Sequence, residues 1–441
     1  MSASTLVSHL PGNDSHAVEA AQRIVRRLLR GFRGSVDLRL WNDSSLHLGS
    51  SAPEFTLVVR DPTVLRELVI RRNPLLMAEA HFRGLVDFEG DLYAALRLKP
   101  HFQTLSLTWR ERVALWRDAL RLPRRQRLVI SPTAAGAGQD AESFQHRHSR
   151  HSDRAAIAFH YDVSNEFYRL WLDEQMVYSC AYFESPHDTL EVAQRNKLDH
   201  ICRKLRLAPG ERLLDIGCGW GALVCWAAQH YGVQAHGITL SRQQLGHARE
   251  RIAALGLQCR VSVELLDYRD LKGEGVYDKV ASVGMFEHVG LANLPNYNAT
   301  VHRVLTDAGL FLNHGITHDT EGWQPGLDAE FINRYVFPDG ELDTVSNVQR
   351  GMERAGFEIL DVEGLRMHYA LTLRSWVQRL EARRDEALRV VDEATYRIWR
   401  LYMAASALEF EAGGTGIYQI LSGKRHGTAA VVPLTRRDLY R

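Results

Sequence analysis

Leu213-Leu214-Asp215-Ile216-Gly217-Cys218-Gly219-Trp220-Gly221 is the stretch that decides the fold of most of this 441-residue chain. Its first four residues read as the end of a buried strand, and residues 222–230 continue with helical spacing. Between them three alternating glycines mark a tight turn, where bare backbone can approach a ligand at the carboxyl end of a strand. The spacing Gly217-x-Gly219-x-Gly221 is not the dinucleotide GxGxxG, and no Walker lysine follows. Taken alone, the turn is weak evidence, because it could simply be a tight strand-to-helix connection. With Asp215 before it and Asp267-Tyr268 further on, it suits a nucleoside better than a pyrophosphate.

Outward from this turn, strands at 234–240, 261–266, 279–283 and 310–316 alternate with helices at 241–255 and 294–305. That order predicts an α/β domain with a doubly wound parallel sheet. Residues 318–342 read as an irregular insertion rich in aromatics, after which 345–355 and 357–362 resume the alternation. The remainder reads as mostly helical, with 380–402 a long charged amphipathic stretch. Upstream, an amphipathic helix at 18–29 precedes short strands at 35–40, 45–48 and 55–59. A helix at 62–71 opens on Asp61-Pro62, with proline in its first turn, and 85–89 and 92–98 follow as strand and helix. The expected organisation is a small α+β unit over 15–128, a linker over 129–152 and a larger domain over 153–441. His146, His148, His151 and His160 lack cysteines or carboxylates at ligand spacing, so they read as hydrophilic chain and no metal is expected.

The 54 Lys and Arg against 53 Asp and Glu exclude a generically basic nucleic-acid binder and an acidic disordered chain. Five cysteines without a CxxC argue against a disulfide framework. No apolar run is long enough to span a bilayer, and the first residues carry no secretory pattern. A reduced, cytoplasmic protein is expected. The balance hides an asymmetry: residues 1–150 hold 22 basic against 15 acidic residues, a net +7, and the rest is −6. Basic residues concentrate at Arg23, Arg26, Arg27, Arg30 and Arg33, and again at Arg121, Arg124, Arg125 and Arg127. They read either as solvated helix faces or as attraction to an anionic phospholipid surface. No aromatic platform for single-stranded nucleic acid is read beside them.

Several further motifs stand in order along the chain: His160-Tyr161-Asp162, Tyr178-Ser179-Cys180-Ala181-Tyr182-Phe183, Gly284-Met285-Phe286-Glu287-His288-Val289-Gly290, Asn313-His314-Gly315-Ile316, and His368-Tyr369 with Thr372, Leu373 and Trp376. With the glycine turn, they make residues from about 159 to 423 resemble the cyclopropane-fatty-acyl-phospholipid synthases and the mycolic acid cyclopropane synthases. The resemblance implies a Rossmann-like class I methyltransferase domain that uses S-adenosylmethionine. It also implies that Tyr178, Ser179, Asp215, Gly217, Gly219, Thr239, Leu240, Gln244, Asp267, Tyr268 and Gly284 line the cofactor site. Cys180, Glu287, His314, Ile316 and Tyr369 would hold a bicarbonate ion, Cys180 and Ile316 partly through the backbone. The upstream unit, with Phe55-Thr56-Leu57 and Asp61-Pro62, resembles the lipid-associated domain of the longer bacterial synthases.

The implied reaction adds a methylene group across the cis double bond of an unsaturated phospholipid acyl chain. An isolated double bond is a poor nucleophile, so the methyl donor must be held close to it. The cation formed would be trapped by water, which calls for a closed apolar site with π faces. A base must then remove a proton from the added methyl. The implied partners are a bilayer surface, bound peripherally on the inner face of the membrane, and unsaturated acyl chains. A second copy of the chain is a candidate partner, and nucleic acid is not expected. The same first step ending in a methylene- or methyl-branched chain is the enzymatic alternative, and a non-catalytic lipid-binding protein is the alternative of another class.

Residue by residue, Glu287 at a strand end reads as functional and His288 as structural. Cys180 reads first as a small buried hydrophobe and, after the resemblance, as a pocket residue that is not a nucleophile. Phe331, Tyr335, Phe337 and Trp376 read as an acyl channel, a cation site or ordinary core. Some bacterial relatives carry cysteine where this chain has Ser406.

Overall fold

In the computed structural model the described residues are 15–73, 75–124, 164–321, 326–336, 340–424 and 432–440. The linker at 129–152, the four histidines from 146 to 160, Tyr161, Asp162 and Phe337 lie outside them. The chain divides into two compact units, Met1–Pro132 with Glu393–Ile398, and Thr133–Asp392 with Trp399–Arg441. That Glu393–Ile398 joins the first unit is a feature the sequence reading did not contain. No helix among the described residues is long and apolar enough to cross a membrane.

The first unit is built on four strands: β1 (Val36–Arg39), β2 (Ser45–Leu48), β3 (Phe55–Val59) and β4 (Val86–Gly90). They pair in the order β2-β1-β3-β4, with β1 and β3 parallel and the outer pairings antiparallel. The helix Ser15–Leu28 closes the core by burying Ala17, Val18, Ala20, Ala21, Ile24 and Val25 along one face. At Asp61-Pro62 the expected helix start is present, with Asp61 Oδ1 accepting from the Thr63 amide at 2.8 Å. Helices Leu75–Phe82, Leu98–Thr104 and Trp109–Leu120 were not anticipated. The last opens on a capping box in which Thr108 and Glu111 satisfy each other's free amides.

Part of the arginine cluster is engaged in ion pairs. Arg23 and Arg27 bond Asp118, whose side chain is fully buried, and Arg30 pairs with Glu111. Arg23 and Arg27 tie the first helix to Trp109–Leu120 and Arg30, just past its end, reaches the same helix, while Arg26, Arg30 and Arg33 of the cluster stand exposed.

The second unit holds the glycine turn. Its strands are β5 (Arg212–Ile216), β6 (Gln234–Thr239), β7 (Val261–Leu265), β8 (Tyr277–Val283), β9 (Leu305–His318), β10 (Phe357–Gly364) and β11 (Thr415–Lys424). They form one sheet in the order β10-β11-β9-β8-β5-β6-β7. From β9 to β7 all neighbours run parallel, and β11 and β10 continue antiparallel. Adjacent residues of a strand face opposite sides. Leu213 accordingly packs with Val224, Ala227 and Leu312 in one core, while Leu214 packs with Val280, Val301 and Phe311 in the other.

Three expectations are corrected here. The carboxy-terminal region is mostly helical as expected but not wholly so, because β11 lies inside the sheet between β9 and β10 and buries Ile417, Ile420 and Leu421. The stretch 380–402 is not continuous: helices Arg366–Ala382, Arg384–Val390 and Glu393–Ala412 are separated where Arg383 leaves helical geometry and Val391 becomes extended. The insertion at 318–342 contains the helix Leu327–Tyr335.

Candidate active site

At the carboxyl end of β5 the backbone turns through three glycines in the left-handed region, with φ of +83° at Gly217, +53° at Gly219 and +81° at Gly221. Two of them also sit against something. A β-carbon at Gly217 would come within 3.2 Å of Met285, and one at Gly221 within 3.0 Å of Ala248. Gly219 faces open space, so its constraint is conformational alone. The amides of Gly217 and Cys218 both donate to Ile238 O at 3.0 Å, fixing the turn to β6.

This turn floors a cavity into which the structure gathers eleven sequence-nominated residues. Asp215, Gly217 and Gly219 come from the turn, and Tyr178 and Ser179 from the segment before the helix Leu190–Lys204. Thr239 and Leu240 come from the end of β6 and Gln244 from the first turn of the helix Arg242–Ala254 that follows it, Asp267 and Tyr268 from just after β7, and Gly284 from just after β8. Strand order explains the convergence, since β5, β6, β7 and β8 are neighbours whose carboxyl ends open on one edge. Thr239 donates its hydroxyl to Gln244 Oε1 at 2.7 Å, and Ser241 caps the following helix by accepting from Gln244 N. Asp267 accepts from the Arg269 guanidinium at 2.8 and 2.6 Å.

Lys197 and His288 are two of the lining residues that the sequence did not nominate. Lys197 is 2% exposed and donates to Ser179 Oγ at 3.0 Å from the helix Leu190–Lys204. Burial lowers its ammonium to about 8 even with Asp173, Cys180 and Asp215 nearby. Burial likewise pushes Asp215 up to about 7 against the pull of Lys197, and Asp215 Oδ1 has no hydrogen-bond partner. A cationic ligand in the cavity would favour the ionised form of this carboxyl. The other is His288, read as structural from sequence, which lines the same cavity.

None of the five positions nominated for the anion lines that cavity, but one continuous set of contacts joins them. Gly284 N donates to His314 O at 2.7 Å, linking the cavity rim to β9. Ile316, two residues along β9, donates its amide to Glu287 Oε1 at 2.7 Å. Across the ladder Ile316 pairs with Ile417, whose carbonyl accepts from Leu365 N. Leu365 O in turn accepts from Tyr369 N at 3.1 Å and lies 3.8 Å from Cys180 Sγ.

Two buried atoms in this set have no partner, Glu287 Oε2 and His314 Nε2. Burial raises Glu287 to about 7, opposed by the Ile316 amide. It drives His314 well below its ordinary range, with Lys197 and Lys204 adding to the effect, so the imidazole is neutral. Gln419 Nε2 lies 3.4 Å from His314 Nδ1. With that amide as donor, the imidazole proton sits on Nε2. With Glu287 protonated, its Oε2–H and the His314 Nε2–H are two buried donors without a partner, a chemistry that fits a small oxyanion such as bicarbonate. Cys180 is fully buried and its thiol is pushed up by burial, which leaves it protonated and not nucleophilic.

Beside the cavity stands an aromatic wall. Tyr178 packs 5.2 Å from Trp376 and 5.4 Å from Trp171, and Tyr168 lies 5.1 Å from Trp220. Tyr369 meets Trp376 edge-on at 6.0 Å and Phe410 at 4.7 Å. Tyr402 hydrogen-bonds Tyr178 and Ser406, which gives Ser406 a polar partner. Trp376 therefore belongs to this wall, whereas Phe331 and Tyr335 form a half-buried pair on Leu327–Tyr335. Among the described residues no group of three or more His, Cys, Asp or Glu is placed to hold a metal ion.

Comparison with known proteins agrees with this architecture. The family model for mycolic acid cyclopropane synthetase matches residues 148–420. A probable fatty acid methyltransferase of Pseudomonas putida is 42% identical over 92% of this chain and 96% of its own length. The cyclopropane-fatty-acyl-phospholipid synthase of Escherichia coli is 39% identical over 59% of this chain and 66% of its own. Among solved structures, the mycolic acid cyclopropane synthase CmaA1 complexed with SAH and CTAB superposes with a TM-score of 0.58 at 33% identity, covering 62% of this chain and 98% of that one.

Proposed function

The chain belongs to the mycolic acid cyclopropane synthetase family and is an S-adenosylmethionine-dependent methyltransferase, and from that premise we propose that it converts the cis double bond of an unsaturated phospholipid acyl chain into a cyclopropane ring. The observation that carries this reading is the buried, unpartnered pair Glu287 Oε2 and His314 Nε2 next to the cofactor cavity. When bound, S-adenosylmethionine would supply an electrophilic methyl, and bicarbonate held by Cys180, Glu287, His314, Ile316 and Tyr369 a base for one of its protons.

Each residue's part follows from its surroundings. Asp215, whose free oxygen is buried, favours a cationic ligand in the cavity. Tyr178 lines the cavity and would offer a π face to positive charge developing on the acyl chain, while the fully buried Trp171 and Trp376 pack behind it and help to exclude the water that would trap the cation. Glu287 and His314 present polar atoms to an oxyanion, and the upward shift of Glu287 to about 7 by burial keeps a protonated carboxyl accessible near neutral pH, which relieves like-charge repulsion there. In balance, the π electrons of the double bond would form the new carbon–carbon bond as the donor's S–CH3 bond breaks and S-adenosylhomocysteine leaves, the base would take one proton from the added methyl, and the electrons of that C–H bond would close the ring.

The test is incubation with labelled S-adenosylmethionine and unsaturated phospholipid vesicles. A lipid product about 14 mass units heavier with cyclopropane ring protons in its NMR spectrum is expected, and no heavier product would refute the reading. A second reading, methyl transfer that ends in a methylene- or methyl-branched chain, is favoured by the nearly full-length similarity to a protein named as a probable fatty acid methyltransferase. Vinylic or branched-methyl resonances in place of ring protons would establish it.

A further inference from the structure

The helix Trp109–Leu120 carries four large apolar side chains that its own unit leaves in solvent: Trp109 at 70% exposure, Val113 at 59%, Trp116 at 45% and Leu120 at 53%. Their spacing of four, three and four residues puts them within about 60° of arc on one face. The opposite face buries Leu115, Asp118 and Ala119. Both acidic residues of the helix are taken up by partners: Asp118 is bonded by Arg23 and Arg27, and Glu111 by Arg30 and the Thr108 cap. The exposed charges left on the helix are Arg110, Arg112 and Arg117, all basic. Helical geometry sets Arg112 on one flank of the ridge and Arg110 and Arg117 on the other. Arg110 also lies over the Trp109 ring, 5.4 Å from its centre.

We propose that this ridge is the surface by which the protein docks on an anionic phospholipid bilayer, lying in the headgroup plane with Trp109, Val113, Trp116 and Leu120 inserted. An apolar stripe flanked on both sides by arginine matches that environment, where indole rings seat at the headgroup level and guanidinium groups meet phosphate. Twelve residues extend about 18 Å, too short to span the membrane. A second copy of the chain fits poorly, because ridge against ridge would bring arginine flanks together. Single-stranded nucleic acid fits poorly as well, because Val113 and Leu120 offer no π face for a base. The exposed tryptophans thus supply what the sequence reading did not see beside the arginines, and the docking charge moves from Arg23–Arg33 to this helix. The inference draws its purpose from the acyl-chain reading above, and its test separates the two.

The full-length protein is measured for co-sedimentation with vesicles of equimolar phosphatidylcholine and phosphatidylglycerol, and separately for turnover on detergent-dispersed unsaturated phospholipid. The Trp109→Ala/Trp116→Ala variant should bind vesicles at least about tenfold more weakly, with micellar turnover and circular dichroism unchanged. Arg112→Gln and Arg117→Gln should each weaken binding about fivefold at low salt and less at high salt. Val113→Asp should reproduce the loss, and Arg26→Gln should not. Vesicle binding indifferent to the tryptophans overturns the proposal. So does a wild-type dimer that the tryptophan variant dissociates without loss of vesicle binding, or a ridge that takes up single-stranded oligonucleotide and ignores vesicles. Wild-type protein that docks through the ridge but makes no product on micelles strikes the substrate reading alone.

Discussion

Glu287 is where burial decides chemistry. Its carboxyl stands near 7 in the fold against an ordinary 4.5, so the folded state holds an extra proton between those values. Raising the pH through that window destabilises the fold, by about 3 kcal/mol once above it. Glu287→Gln lacks the titration, so its stability relative to wild type should gain nothing at pH 4 and about 3 kcal/mol at pH 8, measured by urea unfolding. A difference independent of pH would show that the carboxyl ionises as it does in water. Activity should respond differently: Glu287→Ala or Tyr369→Phe should lower kcat far more than cofactor affinity, and equal losses in both would contradict their assignment to the anion pocket. At this scale the sequence was informative where motif residues surround the turn, as with the eleven that meet at the cavity. It was silent on Lys197, because a lysine within an ordinary amphipathic helix reads as surface. Only the neighbouring Ser179, Asp173 and Asp215 make it a buried cation.

Helix Trp109–Leu120 and strand β11 show why whole elements escaped. In the helix, apolar residues occur on two faces, one inward and one outward, and the single stripe that marks an amphipathic helix is blurred. The capping box at Thr108 and Glu111 was its remaining sequence signal. In β11, Gly416 and Gly423 dilute a strand that owes its place to pairing with β9 and β10 on either side, information that lies far away in the chain. The same helix yields a prediction of asymmetry. Asp118 is fully buried while Arg23 and Arg27 are 36% and 27% exposed, so the arginines can hydrate if the acid is removed and the acid cannot if they are. Arg121 also donates to Asp118, at 3.2 Å, so Asp118→Ala should cost about 1–2 kcal/mol and Arg23→Ala/Arg27→Ala/Arg121→Ala, which removes all three of these cations, about 3–5 kcal/mol. Chemical denaturation of the three proteins compares them, and equal costs would mean that the buried carboxylate is hydrated after all.

The near-zero net charge of the whole chain conceals a basic first unit and an acidic remainder, and the structure gives each of the two units its own apolar core. The first core gathers around Ile24, Leu38, Leu57 and Val86, and the cores of the second line the two faces of the seven-stranded sheet. The first also takes in Glu393–Ile398, where Arg397 donates to His81 O at 2.6 Å and to Asp87 at 3.0 Å. That loan was illegible in sequence, since it joins residues more than 300 positions apart. Separate cores predict two calorimetric transitions, and the cofactor cavity belongs to the second unit alone. A ligand binding only the folded second unit stabilises it by RT ln(1 + [L]/Kd), about 2.7 kcal/mol at a hundredfold excess over Kd. S-adenosylhomocysteine at that excess should accordingly raise one transition by a few degrees and leave the other in place. Arg397→Met should lower the transition that the ligand leaves in place. A single transition that the ligand moves as a whole would mean that the shared helix Glu393–Ala412 makes the two cores unfold together.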